Sequence, residues 1–133
     1  MEQTIKSNQY KSFENIGAWQ TGREFKNKVY IISKKFPNEE KFCLTQQIKR
    51  SAISITANIA EGYGRYNFQE NIQFCRISRG STLETIDHLY TAKDQIYISA
   101  EEFKELYELG KKTEWKINGY INFLQNQNKV YIK

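Results

Sequence analysis

From Glu14 onward, apolar and small residues return at intervals of four and three. Ala18, Gly22, Phe25, Val29, Ile32 and Phe36 thereby share one face of a helix predicted over residues 14–36. Pro37 cannot continue that helix. Asn38 suits a cap, and Glu39 and Glu40 favour the positive end of a helix dipole, so a second helix is expected over 38–62. Gly62 and Gly64 are expected to end it by supplying left-handed or open backbone. Asn67 followed by Glu70 resembles a capping box and opens a third helix over 67–97. Ser99 and Glu102 form the S-x-x-E box of a fourth over 100–126, whose buried face is predicted to be Phe103, Leu106, Gly110, Thr113, Ile117, Tyr120 and Leu124. Residues 1–13 and 128–133 are polar tails. Four long helices with short connections pack most simply as an all-α, antiparallel up-down-up-down four-helix bundle, one domain over 14–127.

The second helix has an unusual pattern. Gln47, Ser51, Ser54, Asn58, Glu61 and Arg65 recur at four, three, four, three and four, which draws a polar seam along one side. Leu44, Ile48, Ala52, Ile55 and Ile59 flank the seam on one side, and Ile53, Ala57 and Ala60 on the other. A polar line between apolar walls is expected to be partly buried, and its groups then need hydrogen-bond partners. Antiparallel pairing across the turn at 62–67 brings residues near 45–50 opposite residues near 79–84. Arg50 is therefore expected to pair with Glu84, and Gly80, beside Ser81, to mark a close approach of two backbones. The pattern reads as a device for register and assembly. Two apolar flanks are also more than one four-helix core accepts, which predicts self-association.

Composition adds little to the fold but narrows the chemistry. A chain of 133 residues with one Pro, seven Gly and 19 aromatics (nine Tyr, eight Phe, two Trp) fits a single helical domain with a bulky core. No apolar run approaches the roughly 18 residues of a membrane helix, and the N-terminus lacks a signal-peptide core, so a soluble cytoplasmic protein without membrane contact is expected. Cys43 and Cys75 are too few and too far apart for a disulfide scaffold or a zinc site. A di-iron bundle needs two Glu-x-x-His motifs, whereas the single His88 has Thr85 three residues before it. No nucleophile has a base in reach along the sequence. The reading is a non-enzyme with no catalytic residues, metal or cofactor.

The net charge of +5 biases encounters toward nucleic acid or acidic surfaces. In the turn Gly62-Tyr63-Gly64-Arg65-Tyr66, the two tyrosines flank an arginine as stacking and phosphate contacts for unpaired RNA or DNA would require. Arg76, Arg79, Lys111, Lys112 and Lys116 are candidates to extend that basic path. The competing reading is a protein-interaction scaffold whose charge serves solubility.

Trp19-Gln20, Phe36-Pro37, the run LTQQIKRSAISITANIAEGYGR from Leu44 to Arg65, and GSTLET from Gly80 resemble the four-helix bundle family of 23S rRNA intervening sequence proteins. The likeness spans about residues 13–125, and SI-x-x-NIAEG-x-GR, from Ser54 to Arg65, is its most specific element. It implies a small cytoplasmic bacterial protein assembled as a homopentamer. A related branch resembles accessory proteins of diversity-generating retroelements, which implies a reverse transcriptase and nucleic acid as partners. Thr56 and Ala57 depart from the Pro and Ser of many relatives, as Gly22 and Ser78 do from Ala.

Overall fold

The computed structural model describes residues 10–132, with side chains through Val130. Four α-helices carry the fold: α1 Gly17–Ser33, α2 Leu44–Tyr63, α3 Phe68–Asp94 and α4 Ala100–Ile132. Short 3-10 turns at Phe13–Asn15 and Asn38–Glu40 precede α1 and α2. The described residues contain no strand.

Side-chain contacts fix the orientation of every neighbouring pair. Along α2 and α3, Ser51 meets Thr85, Ser54 meets Ser81, and the Ile55 carbonyl meets Ser78, so numbers rise on one helix as they fall on the other. Asn71 with Tyr120 and Arg79 with Asn118 run the same way between α3 and α4. Gly22 beside Ile55 and Tyr30 under Lys49 order α1 against α2, and Gly17 beside Lys116 and Lys28 with Glu105 order α1 against α4, numbers again rising on one helix as they fall on the other. The result is a closed, antiparallel four-helix bundle.

Its core follows the periodicity closely. Ala18, Phe25, Val29, Ile32 and Phe36 from the first stretch are buried, as are Leu44, Ile48, Ala52, Ile55 and Ile59 from α2 and the whole expected face of α4. Phe25, Ile48, Ile55, Ile59, Leu89 and Ile117 lose essentially all contact with water, each contributing about 1.5–3 kcal/mol.

Helix ends differ more. The cap expected from Asn67 forms, its side chain accepting from the Glu70 N–H at 3.0 Å. The Ser99–Glu102 box forms in both directions at 2.9 and 3.0 Å. The second helix, however, starts at Leu44 and not at 38, because Cys43 leaves the helical region (φ −121°, ψ −104°). Glu40 compensates by reaching forward to accept the Leu44 N–H at 3.2 Å, so an acid in the preceding turn caps α2. At the other end α4 continues through the expected tail to Ile132.

The glycines of the α2–α3 turn also act differently from expectation. Neither Gly62 nor Gly64 has positive φ; Tyr66 supplies the left-handed residue at φ 53°. Gly62 lies inside α2, where a Cβ would stand 2.7 Å from Asn71 Oδ1, 2.9 Å from Phe74 Cβ and 3.1 Å from the Asn71 carbonyl. It is the point at which α2 and α3 come closest to excluding a side chain. Gly80, expected to hold that role, is exposed and has nothing within 4 Å of a Cβ.

Candidate functional site

The polar seam of α2 becomes a ladder of hydroxyls between α2 and α3. Ser51 and Thr85, both buried, lie 2.7 Å apart. One turn on, Ser81 donates to Ser54 at 2.9 Å, and the Asn58 amide donates to the Ser54 hydroxyl and carbonyl, each at 2.8 Å. Ser78 closes the ladder by donating to the Ile55 carbonyl at 2.7 Å. Short hydroxyl side chains let two helix backbones approach while satisfying one another, which an aliphatic pair of that size would not do. Gln47 is half-buried near the start of the line, and Glu61 and Arg65 leave it for solvent at the far end.

The Arg50–Glu84 pair does not form. Register does bring residue 84 level with this part of α2, but Glu84 takes His88 one turn along its own helix at 3.1 Å, and Arg50 stays exposed. A pair at i,i+4 requires no alignment between helices, so the local partner prevails.

The turn after α2 is similarly occupied. Arg65 is held 2.9 Å from Glu61 and 3.9 Å from Glu70, with its guanidinium over the Phe74 ring at 5.0 Å. Tyr63 donates to the Tyr10 carbonyl at 2.6 Å. Partial burial and the neighbouring Tyr66 push the Tyr63 phenol pKa up, which keeps it a donor. Tyr66 stands half-exposed, as does Arg65 despite its contacts.

The remaining cations do not line one track. Arg79 donates to Asn118 at 2.8 Å on the α3 side of α4, and Lys111 pairs there with Glu114 at 2.6 Å, which raises the ammonium's pKa. Lys116 lies on the opposite side, against Gly17 of α1. Arg76 and Lys112 are exposed. Lys116 borders a groove of about 440 Å³, whose walls include Tyr10, Trp115, Tyr120 and Phe123. Sequence reasoning missed this groove, although Trp115-Lys116 followed by Gly119 was a legible signal of exposed aromatic, charge and missing side chain.

Among the described residues, no group of three or more His, Cys, Asp or Glu side chains is placed to hold a metal, and no helix is long and apolar enough to cross a membrane. The sequence profile of 23S rRNA-intervening sequence proteins matches residues 14–119, from the 3-10 turn before α1 to the middle of α4. The chain belongs to that family. A solved structure from Bacteroides thetaiotaomicron, described as a protein of unknown function from the S23 ribosomal protein family, shares 25% identity with this family member. The two superpose with a TM-score of 0.72 over 78% of this chain and 97% of the other. No curated protein matches the sequence. Of the ladder, Ser54, Ile55 and Asn58 lie in the stretch SI-x-x-NIAEG-x-GR from Ser54 to Arg65, and Gly62 of the same stretch is the close-packed glycine.

Proposed function

We propose that this 23S rRNA-intervening sequence family member is a non-catalytic bundle that works as a homo-oligomer, pentameric as the family resemblance implies, and associates with nucleic acid. The outer face of the α2–α3 pair carries the reading. There Ile53 and Ile77 remain 46% and 44% exposed, and Ala57 and Gly80 add no polar cover. A second copy is the occupant that fits, because Arg50 and Glu84 stand unpaired with each other on this one face and are complementary between copies. The ladder beneath is satisfied internally, so its polar groups serve geometry and not chemistry. Net charge and the family's link to rRNA insertions support the nucleic-acid part.

Light scattering and native mass spectrometry test the assembly. The wild type is expected as a multimer, and Ile53→Asp as a smaller species with unchanged helical circular dichroism. A monomeric wild type at tens of micromolar would sink the proposal. A gel shift with mixed RNA and DNA across a salt series tests the nucleic-acid part, which falls if nothing binds at low salt.

A scaffold for another protein, a reverse transcriptase among the candidates, is the second reading. Phe42 and Ile96 favour it, since they stand 77% and 86% exposed in the two connections at the far end of the bundle. It predicts a specific partner whose capture survives nuclease treatment.

A further inference from the structure

The groove between the start of α1 and the C-terminal half of α4 has the features of a site for one planar, anionic ligand unit. We infer that it seats a single unpaired nucleotide of a single-stranded nucleic acid, with the base against the aromatic wall and the phosphate at Lys116; this rests on the nucleic-acid association proposed above.

The wall is built from three packed rings. Tyr10 meets Tyr120 and Phe123 edge-on at centroid distances of 5.8 and 5.7 Å, while Tyr120 and Phe123 stack at 6.3 Å and 13°. Tyr10 is fixed in place by the Tyr63 hydroxyl on its carbonyl. Trp115 forms the lip and is 72% exposed, a large cost in apolar surface for a residue with no packing role in the bundle. Rigid aromatic faces next to a cation recur where unpaired bases are held, because every base offers a face to stack.

Space and charge agree with that occupant. At about 440 Å³ the groove falls within the roughly 300–1,000 Å³ of small-ligand sites, and it runs open to solvent so that a chain can enter and leave. Gly119 keeps it open: this glycine sits mid-helix and exposed, where nothing would touch a Cβ, so packing does not explain it. Lys116 is the one charged residue among the lining side chains, and it meets no carboxylate among the described residues. Its ammonium lies 3.8 Å from the Cβ position of Gly17, at the positive end of α1, so the two like-signed groups leave an anion as the missing partner. Asn118 and Asn122 also line the groove and bring polar groups for a base edge.

The test is quenching of tryptophan fluorescence by a ten-residue single-stranded oligonucleotide, read for the full chain and for Trp19→Phe, which leaves Trp115 as the reporter. Gly119→Leu, which fills the groove without meeting the core, and Trp115→Ala, measured by oligonucleotide anisotropy, are each expected to weaken binding about tenfold. Lys116→Gln is expected to lose more than Lys112→Gln, an equal change of charge outside the groove. A fully abasic oligonucleotide is expected to bind at least tenfold more weakly. If Gly119→Leu binds like the wild type, or the abasic strand binds as well as the normal one, the groove assignment is overturned while nucleic-acid association stands. If the wild type binds no strand at low salt, both fall.

Discussion

Replacing Gly62 by Ala tests whether close approach of α2 and α3 explains this residue. The added Cβ would stand 2.7 Å from Asn71 Oδ1, 2.9 Å from Phe74 Cβ and 3.1 Å from the Asn71 carbonyl. The first of these atoms is already committed, since the Asn71 side chain donates to Tyr120 and accepts from Cys75. The other two are fixed to the α3 backbone, so relief requires the helices to separate by a few tenths of an ångström along a ladder of 2.7–2.9 Å bonds. Overpacking of this kind costs about 1–3 kcal/mol. Against it, alanine gains up to about 1 kcal/mol of helix propensity, and less this close to a C-terminus. The net expectation is a loss of about 1–2 kcal/mol, or a melting temperature lower by about 3–8 °C for a chain of this size. Gly119→Ala provides the internal standard. Its Cβ meets nothing, so the propensity gain of about 0.5–1 kcal/mol should appear as added stability. Urea and thermal unfolding followed by circular dichroism read both variants. A Gly62→Ala protein as stable as Gly119→Ala would refute the steric argument.

Three further outcomes follow from named contacts. Ser78→Ala removes the hydroxyl that crosses to the Ile55 carbonyl and should lower the urea midpoint by the equivalent of about 1 kcal/mol with an unchanged slope. Of the two free cysteines, exposed Cys43 should react promptly with a thiol reagent, whereas Cys75, its pKa pushed up to about 12 by burial, should react only on unfolding; two fast equivalents would contradict this. Hydrogen bonds from Lys35 and from the Ser99 backbone hold the Glu102 carboxyl below its usual value. Its contribution is therefore complete above the ordinary carboxylate range and lost as pH falls through the depressed value, so Glu102→Gln should shrink the drop in melting temperature between pH 6 and pH 3.

How much the sequence disclosed depended on the range of the interaction. Faces of helices were legible, because a buried stripe repeats every three to four residues; the predicted face of α4 is buried at all seven positions from Phe103 to Leu124. Caps whose partners lie three residues away, at Asn67 and Ser99, were legible for the same reason. Glu40 was not, because it caps from the preceding turn across a break at Cys43 that no residue type announces. The seam on α2 was visible as a pattern, yet its partners were misassigned in part. Opposite charge makes Arg50 and Glu84 the obvious pair, whereas small hydroxyls close the interface because their short reach fits between close backbones. The groove at Trp115 was missed because its walls come from Tyr10 and α4, over one hundred positions apart.

The order of the helices has a consequence for how the bundle is made and unmade. Three of its seams join helices that follow one another in the chain, so each can close as a local hairpin. The seam between α1 and α4 closes only when everything from residue 34 to residue 99 is already folded back on itself. Contacts of that range form late, because they draw on loop entropy that the hairpins must first have reduced. The same seam is expected to open first in the native protein. The groove beside Gly17 and Gly119 lies on it, so exchange of the hydrogen-bonded amides of α1 from Gln20 onward should report partial openings well below the free energy of global unfolding.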